Sequence, residues 1–421
     1  MEALVGEISI PQLNQEISIP QLNQEISIPE LDQKIGIPQL NQDILDHHLF
    51  IYLSNDDLRK AAQVCSLWHS TAYSPTPWIG RTVQLNADQE FKEDMLISLA
   101  ERQVRHLIIK NCNTRPKREE WDDDYDSNDI EDRRSQKQIF NDNRIRLQSL
   151  LQHLSPILYK LDFRGVKLTN NDVQKAFNNK MDCLTQLHLS ESVFCSTETA
   201  VAISRHCPKL EEFHAYVDEI RADTIPTLGA NMPNLRKISF GDTTSFKDKT
   251  LEHIKTHMPN LESLTLNSTH ITTAGIAHIA KMPYLQQLTL SSNCTNIRID
   301  FIDQLALAKS PIRQLSVLAS FTDGNKLLRK IGSYPNKLQI DMLEIGFDHS
   351  IKVIDKGLEE LKENKSFPFR KLTLRQQDIT VHGLAELRKN CPNIELELSC
   401  GKMVDFDASL QCNDIVFKQR G

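Results

Sequence analysis

Three clusters of residues in this chain are of types that can do chemistry, and each would do a different kind. Asp122, Asp124 and Asp126 are spaced DxDxD, like the oxygen ligands that open a calcium loop. His47 and His48 offer paired imidazoles, the commonest metal-ligating group. Cys207 and Cys391 offer thiols that could hold a soft metal or act as nucleophiles. The surroundings of each argue against that use. The sixth position of the calcium loop needs glycine and holds Ser127, and the twelfth needs a bidentate glutamate and holds Arg133. The two histidines lie in a helical phrase, DILDHHLFIYL, where solvent or interface positions account for them. Both cysteines recur at one position of a longer repeat, where a small buried residue serves the core. No glycine-rich phosphate loop, CxxC pair or HExxH occurs, and no spacing of Ser, His and Asp supports a catalytic triad. The chain is therefore expected to be non-catalytic, with no metal site and no cofactor.

The bulk numbers fit a soluble globular protein of the cytosol or nucleus. Of 421 residues, 39% are hydrophobic and 25% charged, a globular composition long enough for one large or two to three average domains. A net charge of −7 argues against a general nucleic-acid or anionic-membrane partner. Nine scattered cysteines, an odd number, suit reduced thiols in an intracellular protein. The opening MEALVGEISIPQLNQ lacks a basic region followed by an apolar core, so no signal peptide is expected. No apolar run approaches the roughly 20 residues of a bilayer span. A cytoplasmic and/or nuclear location follows as an expectation.

The elements that must position any binding surface change along the chain. Residues 1–42 hold a nonapeptide repeat: EISIPQLNQ twice, then EISIPELDQ and KIGIPQLNQ. Pro11, Pro20, Pro29 and Pro38 recur once per unit and oppose a continuous helix. One apolar stripe per unit has nothing opposite to bury it, so a mostly extended, disordered segment is expected. From Asp43 the pattern turns helical, with Leu45, Leu49, Phe50 and Leu53 on neighbouring faces. Ser54 is placed to cap the next helix, with Asp57 completing a capping box. Leu58, Ala61, Ala62, Cys65 and Trp68 then form one helical stripe, which SPTPW ends. Two or three helices in about 40 residues fall short of a self-sufficient core, so this module needs a neighbour or a partner. Residues 113–143 contain EEWDDDYDSNDIEDRR, a solvated charged insertion.

From Leu158 a longer period takes over. LYKLDF, LTQLHL, LEEFHA, LRKISF, LESLTL, LQQLTL, IRQLSV and FRKLTL share the frame LxxLxL. They start at Leu158, Leu184, Leu210, Leu235, Leu261, Leu285, Ile312 and Phe369, with a less regular IDMLEI at Ile340 and an earlier VRHLIIKNC at Val104. Helical phrases follow, such as ITTAGIAHIA, and Gly275, Gly357 and Gly383 open them, as a tight strand-to-helix turn would require. Cys or Met stands three residues before the leading position: Cys207, Met232, Met258, Met282 and Cys391. Small or polar residues recur eight residues after it: Cys112, Thr243, Thr269 and Asn293.

In these features the sequence resembles the cysteine-containing class of leucine-rich repeats, over about two-thirds of its length. Such repeats stack into a solenoid whose parallel strands line a concave face, because no single repeat buries its own apolar side. The alternate residues of each strand then form one exposed surface. It comprises Gln186, His188, Glu212, His214, Tyr216, Lys237, Ser239, Ser263, Thr265, Gln287, Thr289, Lys371, Thr373 and Arg375. Of these His188, His214, Tyr216, Ser239, Thr265, Thr289, Lys371, Thr373 and Arg375 are the candidate substrate-binding residues.

The segment LFIYLSNDDLRKAAQVCSLWHSTAYSPTPW resembles an F-box. It supplies Leu49-Phe50, Tyr52-Leu53, Asp57-Leu58, Val64-Cys65, Trp68 and a closing Trp78. The Leu-Pro that usually opens an F-box is missing: its register holds Asn41-Gln42, and Ile37-Pro38 comes too early. The fold class expected is α/β, a small all-α F-box module followed by a leucine-rich-repeat solenoid with its helices outside. The domains are 1–42, 43–82 (F-box), 83–400 (repeats) and 401–421, a tail that caps the solenoid, crosses its concave face or is loose. The resemblance implies the substrate-recognition subunit of an SCF-type ubiquitin ligase, docking a Skp-family adaptor and through it a cullin–RING scaffold. It places Leu45, Leu49, Phe50, Leu53, Leu58, Val64, Cys65, Trp68 and Trp78 at the adaptor interface or in the small core beneath it. A repeat scaffold or inhibitor acting outside the ligase is the second reading, favoured by the altered F-box start.

Overall fold

The computed structural model describes residues 42, 45–86, 93–110, 147–399 and 415–417, less 167, 190–193, 218–219, 242–245, 268–269, 292–293, 319–322, 335–336, 347–352, 361–369, 376–378, 381, 384, 386 and 388–393. The nonapeptide repeats up to Asn41, the charged insertion with its DxDxD run, Cys112, Thr243, Thr269, Asn293 and Cys391 lie outside the described residues. The chain divides into two compact units, Met1–Leu161 and Asp162–Gly421. No helix among the described residues is long and apolar enough to cross a membrane.

The first unit opens with one π-helical turn, Leu45–Leu49, and a 3₁₀ turn, Phe50–Tyr52. Helices α1 (Asn55–Ala61) and α2 (Ser66–Ala72) and a 3₁₀ turn, Thr76–Trp78, complete a helical module. Leu45 and Phe50 of these turns are buried, while Leu49 between them turns outward. The Ser54 cap forms as expected, its hydroxyl accepting the Asp57 N–H at 3.1 Å. The single stripe from Leu58 to Trp68 does not. Past Ala62 the backbone closes with i→i−3 bonds, Gln63 to Lys60 and Val64 to Ala61, each 3.1 Å. Such bonds tighten and end a helix, and Cys65 is extended and caps the next one. Strands β1 (Thr82–Asn86) and β2 (His106–Lys110) pair in parallel, from Thr82↔His106 to Asn86↔Lys110. Helix α3 (Glu93–Glu101) connects them, and a further helix covers 147–154.

The division between units falls within β3 (Lys160–Arg164). Beyond it strands and helices alternate. The strands are β4 (Gln186–Leu189), β5 (Phe194–Cys195), β6 (Glu212–Val217), β7 (Lys237–Gly241), β8 (Ser263–Leu266) and β9 (Gln287–Leu290). They continue with β10 (Gln314–Val317), β11 (Met342–Ile345), β12 (Lys371–Arg375), β13 (Glu395–Ser399) and β14 (Ile415–Phe417). The helices are α4 (Asn170–Ala176), α5 (Thr197–His206), α6 (Ile225–Asn231), α7 (Asp248–His257), α8 (Thr273–Ile279), α9 (Phe301–Ala308), α10 (Gly324–Gly332) and α11 (Asp355–Glu360). From β4 the strand order is that of the chain, every pairing is parallel, and β5 is a short side strand on β6. This is the repeating α/β architecture expected from the LxxLxL frame.

Most strands of this unit alternate one buried and one partly exposed residue, as in Ser263–Leu266, where Leu264 and Leu266 are buried. Leu261, Ile271, Ile276, Ile279 and Met282 complete the core of that repeat. A shared backbone device holds the repeats in register. One carbonyl at each strand entrance accepts two N–H groups from the next repeat: Glu211 O takes Arg236 and Lys237, and Arg236 O takes Glu262 and Ser263. Cys207 is fully buried beside Met232 and Met258 in the same repeat position, and burial pushes its thiol pKa well up. A nucleophile or ligand needs the thiolate, so Cys207 serves the core.

The three helix glycines have a different reason from the expected turn. None has a positive φ. A Cβ on Gly275, Gly357 or Gly383 would come within 3.0 Å of Asp248, Asn325 or Asp355, the polar residue at the corresponding place one repeat earlier. These side chains bridge the repeats. Asp248 accepts the Thr272 N–H at 2.8 Å and its hydroxyl at 2.6 Å, and Asp355 accepts the Thr380 N–H at 2.8 Å. In the tail, strand β14 pairs with β13 in parallel, Leu396↔Ile415 to Leu398↔Phe417, and ends the strand order.

Candidate functional site

Because the strands are in register, the fifth position of the LxxLxL frame becomes a row along the open sheet face. It runs His188, His214, Ser239, Thr265, Thr289, Ser316, Glu344, Thr373, Glu397. All but one of the predicted substrate-face residues in this row keep some exposure; Thr373 is buried. Lys371 stands in the row two residues earlier, with Glu212, Lys237, Ser263 and Gln287. Tyr216 stands in the row after, opposite Gly241, and its ring occupies the space that a Cβ there would need. Arg375 pairs with Ser399 in the ladder of β12 and β13.

The row is not uniform. Its middle, Ser239 to Ser316, is hydroxyl-lined and uncharged. At the far end Lys371 Nζ pairs with Glu395 at 2.7 Å and Glu397 at 3.1 Å. At the near end the structure gathers Asp162, His188, Glu212, His214 and Lys237. Glu212 Oε1 lies 3.1 Å from His188 Nε2 and 3.0 Å from His214 Nε2. The two rings meet edge to face with centroids 4.4 Å apart. The other ring nitrogen of His188 faces Asp162 Oδ2 at 3.8 Å, which Arg164 also holds at 3.0 Å. Lys237 Nζ sits 3.6 Å from the second oxygen of Glu212.

These contacts set the ionisation. Hydrogen bonds from His188 and then His214 hold the Glu212 carboxyl far below the usual carboxylate range, against a burial cost and with help from Lys237. Burial would lower the His188 pKa, but the carboxylates of Asp162 and Glu212 outweigh it and raise it. Burial likewise opposes ionisation of Asp162, and His188 and Arg164 overcome it. Sequence reasoning named the two histidines for this face and omitted Asp162 as a partner. The signal was present: column five of the aligned frames reads Asp162, His188, His214 before the hydroxyl run.

A second candidate surface belongs to the first unit. Among the predicted adaptor residues, Leu45, Phe50, Leu58 and Trp78 are buried and form the module's own core. Of the two roles expected for that set, these four residues take the small core beneath the interface. Trp78 donates its indole N–H to Ala72 O at 2.9 Å, and Phe50 packs edge-on against Trp68 at 5.5 Å. Leu53, Val64, Cys65 and Trp68 are partly exposed. The outward apolar surface is made by Leu49, Ile51 and Tyr52, which are 42%, 38% and 73% exposed. Arg81, absent from the sequence prediction, fixes that segment from behind. Its guanidinium donates to the carbonyls of Phe50 at 2.9 Å and Ile51 at 3.1 Å and to Asn55 Oδ1 at 2.8 Å.

No protein-family model matches the chain. Among solved structures, it is similar to a chain of the yeast Rad7–Elc1 complex, with 15% identity over 70% of this chain and 96% of that one, at a TM-score of 0.39. It is also similar to a Bacteroides fragilis protein, with 14% identity over 53% of this chain and 67% of that one, at a TM-score of 0.35. At these scores neither likeness bears on what the chain does.

Proposed function

We propose that this chain is the substrate-recognition subunit of an SCF-type ubiquitin ligase and performs no catalytic step itself. The observation that carries the reading is the Leu49–Ile51–Tyr52 surface. Three large apolar residues within four positions stand outward on a module whose core is a handful of side chains. A contiguous exposed apolar surface of this kind marks a protein contact, and the F-box-like residues of the segment point to a Skp-family adaptor as the partner. The polar sheet face of the second unit then receives the protein substrate. Its uncharged hydroxyl run offers donors and acceptors to a backbone or polar side chains, and the charged clusters at either end set register.

The test is binding of the purified full chain to a purified Skp adaptor. Tight binding that Tyr52→Ala and Leu49→Glu each weaken, with melting unchanged, supports the reading. A wild-type chain that binds no adaptor moves the assignment to a repeat-based binder working outside the ligase, the reading that the missing Leu-Pro favours.

A further inference from the structure

We propose that His188, Glu212 and His214 form a binding site for a zinc-class divalent cation on the open face of the sheet. The three ligand atoms lie within 4.8 Å of one another. Around a tetrahedral zinc with bonds of about 2.0–2.2 Å, neighbouring ligand atoms stand roughly 3.3 Å apart. The two Nε2–Oε1 separations of 3.1 and 3.0 Å are already close to that. Two imidazoles and one carboxylate are a donor set zinc accepts, with the fourth position left for another ligand. The side chains are 27%, 16% and 37% exposed for His188, Glu212 and His214, so that position opens outward, to water or to a side chain of whatever docks on the face.

The groups behind the ligands are those a metal site needs. A ligating histidine ordinarily directs its second ring nitrogen at a carboxylate, which fixes the tautomer and strengthens the bond. His188 does this, with Nδ1 toward Asp162. Arg164 in turn holds Asp162. Glu212 keeps Oε1 for the histidines while Oε2 faces Lys237. His188 lies between two carboxylates, so both its nitrogens call for a positive centre: a proton when nothing else is there, the cation when it is. Asp162 and Glu212 together offset the added charge, and Arg164 and Lys237 keep affinity moderate. Spacing alone hid the site. Its ligands come from β4 and β6, 24 and 26 residues from His188, and only the parallel register brings them together. The inference is independent of the ligase reading, since it concerns the metal and not the partner.

The experiment is calorimetric titration of Zn²⁺ into chelator-treated full chain, with Co²⁺ absorption as a second readout. One equivalent should bind, and the Co²⁺ complex should show nitrogen–oxygen coordination without thiolate charge transfer. Glu212→Gln and His214→Ala should each weaken binding at least tenfold, and His253→Ala, on α7, should leave it unchanged. Asp162→Asn keeps all three ligands and should still cost about tenfold, which separates a metal site from a variant that has merely lost its fold. Absence of stoichiometric binding overturns the proposal. So does binding indifferent to Glu212→Gln and Asp162→Asn, or a thiolate band that assigns the ion to cysteines.

Discussion

Leu49, Phe50, Ile51 and Tyr52 are adjacent residues with opposite duties, and substitutions should separate them. Tyr52 is largely exposed, so its ring adds little buried surface to the module. Tyr52→Ala should leave the melting temperature within error and weaken adaptor binding by about 2 kcal/mol, roughly thirtyfold, as truncation of an aromatic anchor does. Phe50 is buried and packs on Trp68. Phe50→Ala removes a core aromatic at a cost of about 3–5 kcal/mol, more than so small a core can spare, so the module's helical signal and adaptor binding should vanish together. If Phe50→Ala melts normally while Tyr52→Ala unfolds, the inward and outward assignments are reversed. Arg81 is a third kind of case. Its charge-assisted bonds to two carbonyls and an amide position the segment without touching a partner. Bonds to charged groups contribute about 1.5–3 kcal/mol, and Arg81→Ala should lower thermal stability in that range even with no adaptor present.

Between neighbouring helices, polar contacts cross from one repeat to the next above the apolar core. Gly275→Ala tests this. On helix propensity alone it should stabilise by about 1 kcal/mol. With Asp248 occupying the space, the added methyl forces a shift, and overpacking costs about 1–3 kcal/mol. The substitution should therefore destabilise, and in an Asp248→Ala background it should become neutral or stabilising. A second inter-helix tie is Asp303, which accepts from Lys330 at 2.8 Å and Tyr334 at 2.7 Å. Burial works against its ionisation, but Lys330 and Tyr334 outweigh it and lower its pKa. A depressed carboxyl contributes stability above its unfolded pKa and loses it as pH falls through the folded value. Asp303→Asn should thus cost up to about 1 kcal/mol near neutrality, and its melting deficit should close in strong acid. A deficit that grows on acidification would contradict the sign. The strands were legible in the sequence because LxxLxL repeats both period and burial. The strand β13 was not, because NIELELS runs one residue short of that frame. Nor was the role of Gly275, since the residue it makes room for lies 27 positions back and nothing local marks the pair. Among the adaptor candidates, the division between interface and the small core beneath it was not legible, because adjacent apolar residues such as Leu49 and Phe50 differ only in burial, which the sequence does not carry.

For the second unit as a whole, stability is a sum over neighbours. Each strand touches only the ones beside it, and most of the core of a repeat is supplied by that repeat and its neighbours. Such a stack is most vulnerable at its ends, where a strand would present a row of unpaired N–H and C=O groups. At the C-terminal end β14 meets that need by pairing with β13. Deleting 401–421 removes β14 and leaves β13 as the last strand, with Leu396–Leu398 no longer paired on that side. Hydrogen exchange should then quicken at Glu395–Ser399 and, less, at Lys371–Arg375, while Lys237–Leu290 keeps its protection. The truncated chain should also self-associate more readily, because an exposed parallel edge templates further pairing. If the interior strands lose as much protection as the end, the unit unfolds as one cooperative block and the nearest-neighbour account fails. If β13 keeps its protection, the tail does not cap the sheet, and the edge is protected by its own charges, Glu395 and Glu397.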